Sequence, residues 1–309
     1  MASKLTGERT GIALALASAV TFGTTTIFAK LAYEAHFGLL TLLSLRFAFA
    51  ALLLGSVSGL RQAAAGRRPK PRTLLSGLLL GMLIMSVQAG LLFAALAHLE
   101  ASIAILLFYT YPILVALAAL ALGRESLTTP RLVALGLAVP GVALVLIAPG
   151  IDAIDPVGVT LALGSALAYT AYVLLSDNLL LDHDPLTLAA LASLGAGIAF
   201  GIAGATTGRL SVDIDPLGWL WLAALVLVAT VFPLAAFLGG IARIGPSAAS
   251  TISTLEPLTA LALALLVLGE RLIAAQVIGA ALVVAAVITL TLSSWRLAPR
   301  TPTTCCPSP

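Results

Sequence analysis

The stretch Phe108–Leu127, FYTYPILVALAALALGRESL, comes back near the other end of the chain as Ser253–Leu272, STLEPLTALALALLVLGERL. Each copy has a head containing Pro, an apolar run, and a Gly with Glu close behind. Pro112 and Pro257 lie 145 residues apart, as do Glu125 and Glu270. The same offset pairs Ser102 with Ser247 and Ala104 with Ala249. Further upstream, GIALALASAVTFG from Gly11 aligns with GVTLALGSALAYT from Gly158 at an offset of 147. Identities come cheaply between Ala/Leu-rich runs, but Pro and Glu matched at one offset do not. The chain therefore reads as two copies, 1–150 and 151–298, with 299–309 as a disordered tail.

Of 309 residues, 60% are hydrophobic and 9% are charged, against about 25% charged in a soluble domain. Mean hydropathy is +1.12. No water-compatible surface can be built from this, so lipid is the main solvent. A crossing helix needs roughly 20 apolar residues. Ten such runs occur, near 11–32, 38–57, 74–97, 102–122, 131–148, 157–176, 186–207, 216–239, 247–268 and 274–294. Lipid cannot satisfy open backbone groups, so the runs are helices. Strict apolar/polar alternation, the mark of a membrane barrel, is missing. The first run reads as a span and not as a cleaved leader, since more apolar runs follow it directly.

Basic residues then set direction. With a cytoplasmic N-terminus, the inner ends carry Lys4, Arg9, Arg61, Arg67, Arg68, Lys70, Arg72, Arg124, Arg131, Arg243, Arg296 and Arg300. The outer ends carry Lys30, Arg209 and Arg271. Both termini are expected in the cytoplasm. The net charge of +3 thus reflects membrane topology and not a nucleic-acid partner. Five spans per copy is an odd number, so the second copy enters from the opposite face. Inverted repeats are a signature of secondary transporters, whose sites lie between the repeats.

Catalytic patterns are absent. His36, His98 and His183 fall at helix ends, and no metal-ligand spacing, phosphate loop or nucleophile–base pair occurs. The expectation is no enzyme, no cofactor and no metal. Cys305 and Cys306, in TTCCPSP, do not match a prenylation signal.

The candidate substrate residues are polar or aromatic groups inside spans. Gln88 stands out, because an amide in mid-span is costly to turn toward lipid; its counterpart at offset 145 is Pro233, a potential kink. Ser86, Thr230 and Thr254 either line a site or bond within and between helices. Phe22, Phe93, Tyr109, Tyr111, Tyr169, Tyr172, Phe232 and Phe237 either wall an aromatic pocket or form interface belts. Glu256 either serves the helix start above Pro257 or faces a cavity as a binding carboxylate. Arg46 sits in mid-span at about 2.5–3.5 kcal/mol on insertion scales. It bonds carbonyls or an acid such as Glu256 or Glu100, or it holds a substrate carboxylate. Pro112 and Pro257 head two helices, and Glu125 and Glu270 are anchors or gate pieces at span ends. Gly77 and Gly81 permit close helix approach, while Gly239 and Gly240 mark a joint.

These features resemble the drug/metabolite transporter superfamily, in its EamA-type ten-helix branch. The residues that carry the resemblance are TYPILVALAALALGRE and LEPLTALALALLVLGE, the helices RLVALGLAVPGVALVL and QVIGAALVVAAVITL behind them, and LSLRFAFAALLL after the first hairpin. Within the branch, the chain is similar to bacterial aromatic amino-acid exporters of the YddG kind. It departs from an even repeat where Tyr111 stands opposite Glu256, and where Gly-Arg-Glu stands opposite Gly-Glu-Arg. The resemblance implies an all-α membrane protein of ten transmembrane helices, built from two inverted five-helix repeats around a central cavity. It also implies export of aromatic or other neutral amino acids across a bacterial inner membrane by alternating access; a bundle of ten helices can work alone, so a monomer is expected. The alternatives are a proton-coupled drug or nucleoside exporter, and a receptor or scaffold that transports nothing. Glu256 is the only clear intramembrane acid, which favours facilitated diffusion over proton coupling.

Overall fold

In the computed structural model, the described residues are 2–64, 71–122, 129–147, 154–180, 184–210, 214–244, 252–253 and 255–297. Among them there is no strand. The helices are α1 (Ala2–Gly23), α2 (Thr25–Glu34), α3 (Leu39–Ala64), α4 (Pro71–Leu79), α5 (Ser86–Ala95), α6 (Ala101–Phe108) and α7 (Tyr111–Ala121). They continue with α8 (Thr129–Ile147), α9 (Pro156–Leu180), α10 (Pro185–Thr207), α11 (Pro216–Val226), α12 (Phe232–Ile244), α13 (Glu256–Val267) and α14 (Ala274–Leu297). Two π-helical stretches, Leu80–Met85 and Leu227–Val231, join α4 to α5 and α11 to α12.

Six segments are long and apolar enough to cross a membrane: Gly7–Glu34, Leu39–Ala64, Leu74–Ala95, Pro156–Ser176, Pro185–Thr207 and Pro216–Gly240. The chain is thus a multi-pass, all-helical membrane protein. Four shorter apolar helices accompany them, at Ala101–Val115, Leu132–Val145, Glu256–Val267 and Ala274–Thr289.

Where the structure departs from uninterrupted spans, the sequence supplies the cause. The first span breaks at Thr24, within TFGTTT. There Thr24 Oγ1 donates to Thr21 O at 2.6 Å and Thr25 Oγ1 to Phe22 O at 2.7 Å, so hydroxyls compete for the helix's own carbonyls. The fourth breaks after Phe108, four residues before Pro112, where the proline ring excludes the preceding carbonyl. Pro112 and Pro257 sit in the first turns of α7 and α13, where a missing N–H costs nothing. Pro233 follows the second π stretch and leaves Ala229 O without its helical donor; Thr25 Oγ1 approaches that carbonyl at 3.5 Å.

The halves interlock reciprocally. α1 packs on α12, and α9 packs on α5; α3 runs along α10, and α8 along α14. One hydrogen bond is made twice. Ser18 Oγ on α1 donates to Pro233 O at 2.8 Å, and Ser165 Oγ on α9 donates to Gln88 O at 2.9 Å. Ser18 and Ser165 are related by the 147 offset, Gln88 and Pro233 by the 145 offset. Each is worth roughly 0.6–1.7 kcal/mol between membrane helices.

Small residues set the closest approaches. A Cβ on Gly81 would run into the Ala192 carbonyl, and one on Gly195 into the Leu78 carbonyl. Gly141 and Gly279 face each other, each Cβ position within 2.9 Å of the other's carbonyl oxygen. Gly239 and Gly240 pack against Leu14 and Ala15 of α1. Without an oil–water driving force between helices in lipid, such contact and interhelical bonding carry association.

Gly81→Val and Gly195→Val should each lower the thermal midpoint of the detergent-purified protein, an overpacking loss of about 1–3 kcal/mol or more. Gly55→Ala, whose new methyl meets nothing within 4 Å, should leave it unchanged or raised.

Candidate functional site

A cavity of about 270 Å³ opens between the halves. Much of its lining comes in repeat-related pairs. Phe22 with Tyr169, Thr25 with Tyr172, and Arg46 with Ser193 are each 147 residues apart; Met85 with Thr230, and Ala89 with Leu234, are 145 apart. Met85 and Thr230 both belong to the π stretches, which turn these side chains inward.

Its polar fixtures are few and held from behind. Arg46 is 8% exposed. Its Nε donates to Thr230 Oγ1 at 3.2 Å, and its guanidinium carbon lies 5.4 Å from the Phe47 ring centroid and 5.1 Å from that of Phe93. Thr230 in turn donates its hydroxyl to Leu225 O at 2.8 Å, five residues back along the π turn. Gln88 Nε2 donates to Ser165 Oγ at 3.2 Å, so the amide is braced on α9 and not aimed at Pro233. Glu256, first residue of α13, lines the cavity together with Tyr109. Its position serves the helix start, where the macrodipole favours a negative charge, and the cavity as well.

The aromatic wall is continuous. The Phe108 and Tyr169 ring centroids are 5.3 Å apart, Tyr111 meets Tyr169 edge-on at 4.6 Å, and Tyr169 stacks on Tyr172 at 5.7 Å. Tyr109 lines the cavity; Tyr111 stands behind the wall.

Other candidates lie elsewhere. Ser86 turns its hydroxyl back to Met82 O at 2.5 Å. Phe232 is 48% exposed on the outside of the bundle, and Phe237 is not part of the lining. Thr254, Glu125, His183, Cys305 and Cys306 lie outside the described residues. Residues that the sequence did not single out, Thr25, Phe47, Met85 and Ser193, all line the cavity. Three of these were findable as offset partners of Tyr172, Thr230 and Arg46.

One end of the bundle is tied across the halves. Gly269, in the left-handed region at φ +66°, turns Glu270 away from α13 onto the start of α6. There its carboxylate accepts from Ala101 N at 2.6 Å and Ser102 N at 2.9 Å. Lys30 Nζ donates to Leu99 O at 2.6 Å. Glu100 beside them has its carboxyl pushed up by partial burial, then by the Glu270 charge, with Lys30 opposing. Asp155 accepts from Val157 N at 2.8 Å and meets His98 Nδ1 at 2.7 Å. Those two bonds, Val157 first, hold its carboxyl below the ordinary range.

Comparison with known proteins follows the same division into halves. The model of the EamA-like transporter family matches twice, over residues 9–147 and 156–292. A protein of Bacillus subtilis (strain 168), described as "Uncharacterized transporter YcbK", is 34% identical over 128 residues. That match takes in 40% of this chain and 41% of the relative's length. A chain from a solved crystal structure superposes with a TM-score of 0.63 at 19% identity, covering 94% of this chain and 100% of its own. That likeness concerns the fold alone.

Glu270→Ala should cost about 0.5–2 kcal/mol, the usual value of a lost helix cap, read as a lower thermal midpoint. Asp155→Asn should destabilise at neutral pH. A depressed carboxyl stabilises above the unfolded value, near 3.9, and loses that as pH falls through the folded one. The gap between variant and wild type should therefore close as the pH is taken from 7 toward 3.

Proposed function

We propose a transport cycle on the premise that the chain belongs to the EamA-like transporter family. The protein is an exporter or facilitator of small amphipathic metabolites, best matched by aromatic or other neutral amino acids, and it works by alternating access. The observation that carries this is the cavity between the halves, with an aromatic wall and a few braced polar groups. At about 270 Å³ it falls just below the range of roughly 300–1,000 Å³ usual for ligand pockets, which suits one amino acid better than a drug-sized molecule.

Six long and four short apolar helices divide into two sets of five. An odd set returns the second copy inverted, and the exchanged serine bonds are what a two-fold axis in the membrane plane would produce. The breaks at Thr24, after Phe108 and before Glu256, with the two π stretches, give the helices places to bend around the cavity. In this cycle the contacts of Glu270, Lys30 and His98 close the outer end, and they part when the site opens outward. Both termini face the cytoplasm of a bacterial inner membrane, and the bundle acts as a monomer. Residues 1–150 and 151–298 are its two moving halves.

Facilitated diffusion needs no titrating group, and Glu256 is the lone acid among the cavity's described lining. A second reading, a proton-coupled drug or nucleoside exporter, is favoured by the place of that acid in the wall against Tyr109.

Purified protein in liposomes should exchange labelled aromatic amino acids in counterflow, while hydrophobic cations and nucleosides should not move. Failure of every aromatic amino acid in that panel would remove the substrate assignment; absence of all transport would favour a receptor or scaffold. Facilitated diffusion predicts that Glu256→Gln leaves the pH dependence of exchange as it is in wild type. Loss of that dependence would instead establish coupling to protons.

A further inference from the structure

Arg46 carries a charge into an apolar wall, and the described residues give it no carboxylate. Among them, no ion pair reaches it, and Glu256 lines the same cavity without meeting it. Its Nε–H goes to Thr230 and its flanks to Phe47 and Phe93. No described residue takes a hydrogen bond from its two terminal amino groups. A buried charge without a counter-charge is costly, and this one opens onto a cavity that could admit an anion.

We propose that Arg46 is the specificity-determining residue of the cavity. Its terminal amino groups take the carboxylate of an aromatic substrate, and Thr230 is the positioning residue that aims them. The proposal rests on the transport reading of the cavity.

The aim follows from hydrogen-bond inventory. A threonine hydroxyl has one proton to give, and the π turn commits that of Thr230 to Leu225 O. Only its lone pairs remain, so it accepts from Arg46 and cannot compete with the guanidinium for an anion. With Nε held, and the cation flanked by two rings, the planar head is fixed, and its remaining N–H groups form a fork matched to a carboxylate. The repeat sharpens the choice. The partner of Arg46 at offset 147 is Ser193, which is neutral and also lines the cavity. The carboxylate therefore has one place to go, and the substrate one way round. A site built to meet a charged group rejects the analogue that lacks it, since its own buried group is then left unpaired.

The test uses the full chain in liposomes and three probes: L-phenylalanine, phenethylamine, which lacks the carboxylate, and 3-phenylpropionate, which lacks the ammonium. Wild type should prefer phenylalanine over phenethylamine by at least about tenfold in apparent affinity. Arg46→Gln should lose that preference and weaken both carboxylates by a similar factor, with Arg46→Lys keeping part of it. Thr230→Val should raise KM severalfold at a nearly unchanged maximal rate, and Thr230→Ser should restore it. A wild type that takes phenethylamine as readily as phenylalanine overturns the proposal and leaves transport standing. A wild type that moves none of the three overturns the proposal together with the aromatic-substrate reading. Should Arg46→Gln fail to fold, an unchanged KM in Thr230→Val is enough to overturn it.

Discussion

Ser18 and Ser165 each send a hydroxyl proton to a carbonyl on the opposite half of the chain, where no water competes for it. Individually each is a modest bond. Together they impose a reciprocal relation: what α1 does to the carbonyl at Pro233, α9 does to the carbonyl at Gln88. That exchange fixes the register of two helix pairs at once, and all four helices contribute to the cavity wall. Slide α9 by one turn and Ser165 leaves Gln88, while Tyr169 and Tyr172 leave the wall. The glycine contacts at Gly81 and Gly195 then set how closely α10 can approach the same region.

Backbone interruption is the second constraint. Within lipid a broken helix is tolerated only where the freed groups find partners or line a cavity. The breaks in this bundle obey that rule. Ala229 O, stripped of its donor by Pro233, lies near Thr25 Oγ1. The turn after Phe108 opens beside Glu256, and both stand at the cavity. Gly23, at the first break, has no room for a Cβ: Ala260 N and Glu256 O lie within 3.1 Å of that position. Thr21, Thr24 and Thr25 of TFGTTT thus turn their hydroxyls to backbone carbonyls around the bend.

The repeat was legible because Pro and Glu have few uses inside an apolar chain, so their recurrence at one offset could not be compositional noise. The starts of α7 and α13, at Tyr111 and Glu256, fall at that same offset. The bonding partner of Gln88 was not legible. A 145-residue offset names equivalent positions, but contact under reciprocal packing joins non-equivalent ones, so Gln88 meets Ser165 and Pro233 meets Ser18. The π stretches left no mark either. Leu80–Met85 contains no proline, and periodicity alone cannot show one added residue in a turn. Aromatic rings inside spans were ambiguous for a simpler reason: in lipid either side of a helix accepts Phe, so Phe232 could face outward while Phe93 faced in.

Function enters where the copies disagree. A cavity with strict two-fold lining would offer a substrate two equal orientations. Here Arg46 corresponds to Ser193, and Glu256 corresponds to Tyr111, which stands behind the wall and not in it. One cation and one acid, at positions the repeat does not relate, give the cavity a polarity that the scaffold lacks. Their separation matters as much as their presence. Had they met as an ion pair, each would have satisfied the other and left an apolar pocket. Held apart, with Arg46 on Thr230 and no ion pair joining it to Glu256 among the described residues, both are left free for the zwitterionic substrate of the proposed transport cycle. The duplicated scaffold supplies the space, and selectivity falls to the few positions where duplication was abandoned.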